Sequence, residues 1–274
     1  MTILYHTLLR LSIPKGEKLV ELNKIYNESC ITGIERIDFP VHLVVTSPPY
    51  NVDLGNNKLN KRGYDSHDDN MTPCEYYNFI LNVFRRVWNI QDDDGRVCIN
   101  VGDRKNGEDA LHNDIINIMH QIGYKSYTTI VWHKHQVGNR TSWGSFKSPS
   151  CPSFPVPFEY ILCFYKNSKK LLHRGETDLE KQEFIDWSLS LWNFPPETNQ
   201  RKIGHPAMFP PELPKRLLKM LSWVGDTVLD PFSGAGTTCM VSKQLNRNYI
   251  GFDISPEYCK LANERINSVE VNEV

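Results

Sequence analysis

Two short segments of the chain combine residue types that could bind a nucleoside. In VLDPFSGAGTT, residues 228–238, a strand-like run ends at Asp230 and leads into Gly234 and Gly236. Glycine at a strand-to-helix turn lets the backbone turn sharply and approach a ligand, and the amino end of the next helix favours negative charge. A second strand-like run, YIGFDIS, ends at Asp253, where a carboxylate can accept hydrogen bonds from both ribose hydroxyls.

The glycine turn excludes two common classes of nucleotide site. It lacks the third glycine of the GxGxxG pattern of dinucleotide sites, and the chain has no GxxxxGK[ST] triphosphate loop. A nucleoside without a pyrophosphate remains, and we therefore expect S-adenosylmethionine as the cofactor. The alternative interpretation is a glycine turn followed by an acidic helix cap, with no ligand.

A third segment, TSPPYN at residues 46–51, could bind a planar amine. Two successive prolines fix two φ angles and remove two N–H donors, so the carbonyl groups here face something other than a β-ladder. We expect the Ser47 hydroxyl and the Pro48 carbonyl to accept hydrogen bonds from the amine, Pro49 to complete the rigid turn, and Tyr50 to stack on the ring. In the alternative interpretation, the segment closes a buried strand and Tyr50 belongs to the core.

Together, TSPPYN, DPFSGAGTT and HPAMFPPELP at 205–214 resemble the amino-group DNA methyltransferases, which modify an exocyclic nitrogen of a base. TSPPY comes first, then a basic region, then HPAMFP, and FSGAG last. This order is similar to the beta-class arrangement, a circular permutation of the usual methyltransferase order. The resemblance extends from about Lys24 to Ile266. It implies S-adenosylmethionine as cofactor and a base of DNA as the methyl acceptor.

The resemblance also implies which residues form the site. The target base would be held by Ser47 to Tyr50, and the methionine end of the cofactor would lie near His205, Pro206 and Phe209. The residues expected around the nucleoside are Asp230, Phe232, Gly234, Gly236, Thr237 and Asp253. The family often has a Gly-Asp pair at the end of the third strand, and this chain has Asn27-Glu28-Ser29-Cys30 there, which leaves open the side chain that contacts the adenine.

The elements that must position these residues follow from the apolar pattern. Seven apolar, β-branched runs alternate with helix-like segments such as 73–90, 109–122 and 211–223, which predicts a doubly wound, Rossmann-like α/β sheet in a single domain of residues 1–274. The resemblance implies a circularly permuted methyltransferase sheet of seven strands with one antiparallel strand, which we assign to FEYILCFYK at 158–166. The seven predicted strands are 24–30, 41–50, 95–103, 126–134, 158–166, 226–232 and 248–255.

Basic residues are concentrated between Trp132 and Arg174. This stretch contains seven Lys and Arg residues and one acidic residue, Glu159, in a chain of net charge −1. A basic, aromatic-bearing stretch is typical of a nucleic-acid surface. We therefore predict a small basic insertion for DNA recognition, at about 135–157 and 167–200. The phosphate contacts are expected from Arg140, Lys147, Lys169 and Lys170. The alternative interpretation is a solvated hairpin whose lysines have no such role.

We expect a site-specific DNA methyltransferase that flips its target base and methylates N4 of cytosine. In the resembling family, Ser before Pro-Pro-Tyr goes mostly with N4 of cytosine, whereas Asp or Asn goes mostly with N6 of adenine, so N6-adenine is the alternative. An RNA or protein-amide methyltransferase and a non-catalytic DNA-binding module are further alternatives. Attack on cytosine C5 by Cys74 is disfavoured because Cys74 lies inside a predicted helix.

Composition limits the setting and the partners. No apolar run approaches the 18 or so residues of a membrane helix, and we expect no signal peptide, so a bacterial or phage protein of the cytoplasm is predicted. Seven cysteines without a CxxC pair favour free thiols and no metal site. Asp92-Asp93-Asp94-Gly95 is predicted as a solvated turn. Double-stranded DNA is the expected partner, with a cognate restriction endonuclease and a homodimer left open.

Overall fold

The computed structural model describes residues 18–49, 51, 71–104, 107–135, 144–198 and 208–271. The strands in these ranges are β1 (Lys24–Asn27), β2 (Val41–Thr46), β3 (Gln91–Val101), β4 (Lys125–His133), β5 (Phe158–Tyr165), β6 (Leu191–Asn193), β7 (Thr227–Asp230) and β8 (Asn248–Asp253). The helices are α1 (Cys30–Ile34), α2 (Pro73–Ile90), α3 (Leu111–Ile122), α4 (Lys181–Trp187), α5 (Glu212–Leu221), α6 (Thr237–Gln244) and α7 (Pro256–Asn267).

All eight strands form one sheet in the order β1-β8-β7-β2-β3-β5-β4-β6. Strand β5 is antiparallel to both of its neighbours, β3 and β4, and every other pair is parallel. This confirms the doubly wound α/β prediction and the antiparallel strand expected at 158–166. The sheet has eight strands where seven were expected, because β6 adds to the edge of the sheet beside β4. A strand of three residues is too short to show an alternating pattern.

The strand directions give the sheet two distinct edges. Every strand except β5 ends at one edge, which we call the carboxyl edge, and β5 begins there. Ser47 follows β2 at this edge, and the glycine turn follows β7. The opposite amino edge carries the starts of the parallel strands and the end of β5. Since ligands of open α/β sheets bind at the carboxyl ends of the strands, the candidate site belongs to the carboxyl edge.

The chain is permuted around the sheet. β1, near the start of the described chain, pairs in parallel with β8, near its end, and Asn27 lies opposite Asp253. β8 pairs with β7, which in turn pairs with β2. The strand that precedes Ser47 and the strands that carry the glycine turn and Asp253 are therefore neighbours, although the segments lie about 180 residues apart in sequence.

Each face of the sheet is covered by helices. One hydrophobic core lies against α1, α2 and α3 and includes Phe84 and Ile115, and the other lies against α4, α5 and α6 and includes Trp132 and Leu217. Because both faces are buried, the strands consist of nearly continuous apolar residues. Among the described residues, no helix has the length and the apolar character needed to cross a membrane.

Local signals determine the ends of α2. Thr72 caps the helix by accepting from the Glu75 N–H, the Glu75 side chain accepts from the Thr72 N–H, and Pro73 occupies the first turn. The helix spans the predicted residues 73–90.

The prediction of a solvated turn at residues 92–95 is wrong. These residues begin β3, and Asp94 is buried, where its carboxylate accepts from the Leu172 N–H.

Candidate active site

Ser47 lies immediately after β2, and its hydroxyl donates to the main-chain carbonyl of Asn100 in β3, at 3.0 Å. A hydroxyl has one proton and two acceptor lone pairs. Because the proton is directed at Asn100, Ser47 is suited to accept a hydrogen bond from an amine. The preceding residue, Thr46, is fully buried, and Pro48 is buried as well. Neighbouring strands thus hold this residue on a rigid support.

Asp230 joins the end of β2 to the glycine turn. Its Oδ1 accepts from the Thr46 hydroxyl at 2.6 Å and from the Phe232 N–H at 3.1 Å. Burial raises the pKa of Asp230 to about 6, against the opposing effect of hydrogen bonds from Thr46, Phe232 and Thr238. The predicted cofactor residue Asp230 therefore connects the segment that carries Ser47 with the turn expected to face the cofactor.

The glycine segment predicted to turn sharply lies between β7 and α6. Gly234 has φ 48° and Gly236 has φ 72°, both in the left-handed region that favours glycine. A Cβ at Gly236 would lie 2.7 Å from the Cβ of Ala262 in α7. Glycine is needed at 236 for close packing on a helix, in addition to its conformation.

Asp253 closes the other side of the turn. Its Oδ2 accepts from the Gly234 N–H at 2.9 Å, and its Oδ1 accepts from the Ser255 N–H at 2.8 Å. The Asn27 amide donates to the Asp253 main-chain carbonyl at 3.1 Å. A carboxylate oxygen can accept more than one hydrogen bond, so Asp253 fits a pair of ribose hydroxyls while it holds the turn. The glycine turn, which lets a ligand approach the backbone, and the Asp253 carboxylate, which accepts hydrogen bonds, fit the nucleoside part of S-adenosylmethionine.

The residues that replace the family's Gly-Asp pair have structural partners. Glu28 forms an ion pair with Arg36, and Ser29 caps α1 by accepting from the Ile31 N–H. Asn27 is the member of this segment that lies beside Asp253. It is therefore the side chain of this segment best placed to approach a nucleoside bound at Asp253.

Arg265 in α7 supports the glycine turn, although no sequence pattern predicted this role. Its Nη1 donates to the Ala235 carbonyl and lies 3.2 Å from the Thr237 Oγ1. Burial lowers the pKa of Arg265, and the nearby charge of Glu197 opposes this. No motif marks Arg265, since its contacts lie about 30 residues away in sequence.

Of the other predicted site residues, two have described packing contacts and four are not described. Phe209 is buried in the second core, and the Phe232 ring lies 5.8 Å from that of Phe79. Four predicted residues lie outside the described part of the chain: Tyr50, Arg140, His205 and Pro206.

The predicted basic surface is divided between the two edges. The loop that contains Lys147 connects the end of β4 to the start of β5, so it leaves the sheet at the carboxyl edge. β5 then crosses the sheet, and its eight residues span about 25 Å at roughly 3.3 Å per residue. Lys169 and Lys170 therefore follow β5 at the amino edge. Lys147 and the pair Lys169 and Lys170, all predicted to contact phosphate, thus lie at opposite edges of the sheet because of the direction of β5.

The basic residues near the ends of β5 also have contacts within the protein. Lys166 is buried and donates to the carbonyls of Trp88 and Gln91. The Lys169 Nζ lies 4.8 Å from the centre of the Tyr127 ring. At the carboxyl edge, Lys134 forms an ion pair with Glu159. The seven basic residues counted between Trp132 and Arg174 therefore overstate the positive charge that this stretch offers to a ligand.

Among the described residues, His42, His173 and Asp226 form a group whose potential metal-ligand atoms lie within 4.8 Å of one another. The group lies at the amino edge. The Thr227 N–H donates to His42 Nδ1 at 3.0 Å, which places the proton of a neutral His42 ring on Nε2, the atom that faces Asp226 at 3.9 Å. The two ring nitrogens of His173 lie against Asp94 and Asp226. Hydrogen bonds within the protein use His42 Nδ1 and both ring nitrogens of His173, and we assign no metal here.

Comparison with known proteins gives the family. Residues 41–264 match the model of the N6/N4-type family described as DNA methylase. Type II methyltransferase M.MjaVI of Methanocaldococcus jannaschii is 38% identical over 189 residues, which cover 65% of this chain and 92% of the relative. Type II methyltransferase M.MjaI of the same organism is 32% identical over 260 residues, which cover 84% of this chain and 86% of the relative.

Solved structures agree with the family and the fold. TTHA0409 of Thermus thermophilus, complexed with S-adenosyl-L-methionine, superposes with a TM-score of 0.67 at 28% identity, over 89% of this chain and 92% of that chain. The cytosine-N4-specific PvuII DNA methyltransferase has a TM-score of 0.66 at 20% identity, over 93% and 92%, and this likeness concerns the fold alone. With the glycine turn, Asp253 and Ser47 at one edge of such a sheet, the chain belongs to the DNA methylase family and is an S-adenosylmethionine-dependent DNA methyltransferase of the amino-group class.

Proposed function

We propose that the enzyme methylates N4 of cytosine at a specific sequence in double-stranded DNA, after the target base has flipped out of the helix. The observation that carries this proposal is the Ser47 hydroxyl, which donates to the Asn100 carbonyl and so offers its oxygen to an amine. Ser47 is neutral, and cytosine's amine is by resonance arguments the better nucleophile, so a neutral acceptor suffices for it.

The chemistry follows from alignment and from hydrogen-bond acceptance. S-adenosylmethionine supplies a methyl group that its sulfonium already activates. Ser47 and the Pro48 carbonyl accept from the two N–H groups of the target amine, which favours a pyramidal nitrogen and directs its lone pair towards the methyl group. The same acceptors stabilise the positive charge that develops on this nitrogen. Flipping the base costs a few kcal/mol, and stacking on Tyr50 would offset part of that cost.

N6 of adenine is the second candidate. The family includes both activities, and both bases present a planar amine beside a ring nitrogen. A carboxylate in place of Ser47 would stabilise the developing charge more strongly than a hydroxyl does. The neutral residue therefore favours cytosine.

Expression in a host without DNA methylation tests the proposal. Genomic DNA from this host is digested to nucleosides for mass spectrometry, and a second sample is sequenced by a single-molecule method that maps the modified site. We expect N4-methylcytosine at one recognition sequence. N6-methyladenine without N4-methylcytosine would reverse the assignment of the base, and unmodified DNA from cells that contain folded protein would refute methylation of DNA by this chain.

We also propose that DNA contacts the loop between β4 and β5. Residues 144–152 form a small hairpin in which the Ser145 N–H donates to the Cys151 carbonyl at 2.8 Å. Phe146 and Phe154 are 62% and 75% exposed, and the Lys147 Nζ lies 5.4 Å from the centre of the Phe146 ring. An exposed cation and aromatic rings at the edge that carries Ser47 are suited to phosphate contact and base stacking.

The proposal also includes two partners, a restriction endonuclease and a second copy of the chain, and each has its own test. For a cognate restriction endonuclease, nuclease activity from the source cells would cut unmodified DNA and spare DNA methylated by this enzyme. For a homodimer, light scattering on the purified enzyme would give twice the 31.7 kDa of one chain.

A further inference from the structure

Asn51, the residue after Ser47-Pro48-Pro49-Tyr50, forms two hydrogen bonds with one distant residue. Its Oδ1 accepts from the Met71 N–H at 2.9 Å, and its Nδ2 donates to the Met71 carbonyl at 2.7 Å. Its φ of 52° lies in the left-handed region, which asparagine tolerates better than most residues do. The side-chain amide thus binds both main-chain groups of Met71, and we call this pair of bonds the Asn51–Met71 clamp.

Met71 is itself held firmly. Its side chain packs against the core beneath α2. The next residue, Thr72, forms the capping box of α2 with Glu75, and this helix of 18 residues is anchored by buried side chains such as Ile80. The clamp therefore connects the segment after Pro49 to a rigid part of the protein.

We propose that Asn51 is a positioning residue for methyl transfer, which holds the Ser47-Pro48-Pro49 turn in its reactive geometry from the carboxyl-terminal side. This inference rests on the proposed function. The Ser47 hydroxyl and the Asn100 carbonyl fix the other end of the turn. Between these two attachments, Pro48 and Pro49 have restricted φ angles. The clamp thus limits the remaining freedom of the Pro48 carbonyl, which must lie within hydrogen-bond reach of the amine.

The test separates the clamp from the backbone conformation. Asn51→Gly keeps the left-handed φ at no steric cost and removes both hydrogen bonds. Asn51→Asp keeps an acceptor for the Met71 N–H but sets a carboxylate oxygen against the Met71 carbonyl. A duplex with the mapped recognition sequence is used in single-turnover methylation, and 2-aminopurine fluorescence at the target position reports base flipping. Calorimetry measures S-adenosylmethionine affinity.

The chain provides a matched control in Asn23, before β1 at the amino edge. It has φ 62°, its Oδ1 accepts from the Tyr249 N–H at 3.1 Å, and its Nδ2 donates to Asn248 Oδ1 at 3.3 Å. Asn23→Gly removes both of these bonds and Asn23→Asp removes only the one donated by Nδ2, so the two variants match the Asn51 variants at a position remote from the site. A general loss of stability would appear in these variants too, in their thermal unfolding.

We expect both Asn51 variants to lower the single-turnover rate about tenfold or more at saturating DNA, with S-adenosylmethionine affinity unchanged, while the Asn23 variants keep the wild-type rate. A wild-type rate in Asn51→Gly would overturn the inference, since φ alone would then be what the turn requires. Equal rate losses in the Asn23 and Asn51 variants would also overturn it. A wild-type enzyme that methylates no DNA would refute both proposals, whereas methylation of N6 of adenine would refute only the proposed function, because the comparison of rates requires only methyl transfer to DNA.

Discussion

At the scale of single residues, the site depends on hydrogen bonds that prepare side chains for a ligand. Ser47 donates to the Asn100 carbonyl, as the proposed acceptance of a hydrogen bond from the target amine requires. Asp230 accepts from Thr46 and Phe232, and Asp253 accepts from Gly234 and Ser255. Polar groups that are oriented before the ligand binds need no rearrangement during the reaction.

Replacement of Ser47 by alanine should reduce turnover more than DNA binding. The lost hydrogen bond strengthens as positive charge develops on the amine, so its removal acts mainly on the transition state. We expect kcat to fall about tenfold or more, with the Kd for DNA within about twofold of wild type. Steady-state methylation and fluorescence anisotropy measure the two quantities. The control is Ser168→Ala at the amino edge, and an unchanged kcat in Ser47→Ala would leave the Pro48 carbonyl as the main acceptor.

Replacement of Asp253 by alanine should weaken S-adenosylmethionine binding. The variant loses the expected ribose partner and also the acceptor of the Gly234 N–H. A loss of about 1–3 kcal/mol corresponds to roughly ten- to a hundredfold in Kd by titration calorimetry. Gly234→Val should have a similar effect, since φ 48° is unfavourable for a β-branched residue. Wild-type affinities in both folded variants would contradict the assignment of this turn to the cofactor.

At the scale of elements, the segment after β5 is fastened to the amino edge by His173. Its ring nitrogens lie 3.3 Å from Asp94 Oδ2 and 2.9 Å from Asp226 Oδ1, and the His42 ring centre lies 4.9 Å away. Burial lowers the pKa of His173, but hydrogen bonds and charges from Asp226 and Asp94 outweigh burial and raise it above the ordinary 6.5. The charged ring thus joins the segment to β3 and to the start of β7.

This arrangement predicts a pH-dependent contribution to stability. Because the folded-state pKa is raised, the contribution is complete below about pH 6.5 and is lost as the pH rises through the folded-state pKa. Urea unfolding of wild type and His173→Gln at pH 6 and pH 9 measures it. We expect the variant to be less stable than wild type at pH 6, with a smaller difference at pH 9. A difference that grows with pH would show that the neutral ring makes the stabilising contact.

At the scale of the whole molecule, the two edges of the sheet separate the binding chemistry from the structural charges. The carboxyl edge carries Ser47, the glycine turn and the hairpin with Lys147. The amino edge carries Lys169 and the His173 network. If DNA binds at Ser47 and the hairpin as proposed, the amino edge lies about 25 Å from it, the span of β5.

The separation predicts different salt dependences for two lysine variants. Lys147→Ala should reduce the slope of log Kobs against log salt concentration by roughly one unit if Lys147 contacts a phosphate. Lys169→Ala is the matched control, because Lys169 lies over Tyr127 at the amino edge. Filter binding to a specific duplex over a range of salt gives both slopes. Equal reductions in the two variants would indicate a DNA path that includes the amino edge.

The sequence alone determined the features that depend on neighbouring residues. Apolar periodicity located seven of the eight strands, and the Thr72 capping box with Pro73 set the start of α2. Gly234 and Gly236 predicted a sharp turn between β7 and α6, where the structure has left-handed φ angles. TSPPYN predicted a rigid turn after β2. Each of these signals operates over a few residues, since caps, turns and side-chain alternation are local properties of the chain.

Only the tertiary structure decided which distant residues meet. It placed Asn27 beside Asp253, Asn100 beneath Ser47, Arg265 against Ala235 and Met71 against Asn51. It also divided the basic residues, because reversal of β5 sends the residues that follow it to the opposite edge. The order and direction of the strands result from packing on both faces of the sheet. The spacing of residues along the chain therefore does not show which residues are in contact across strands.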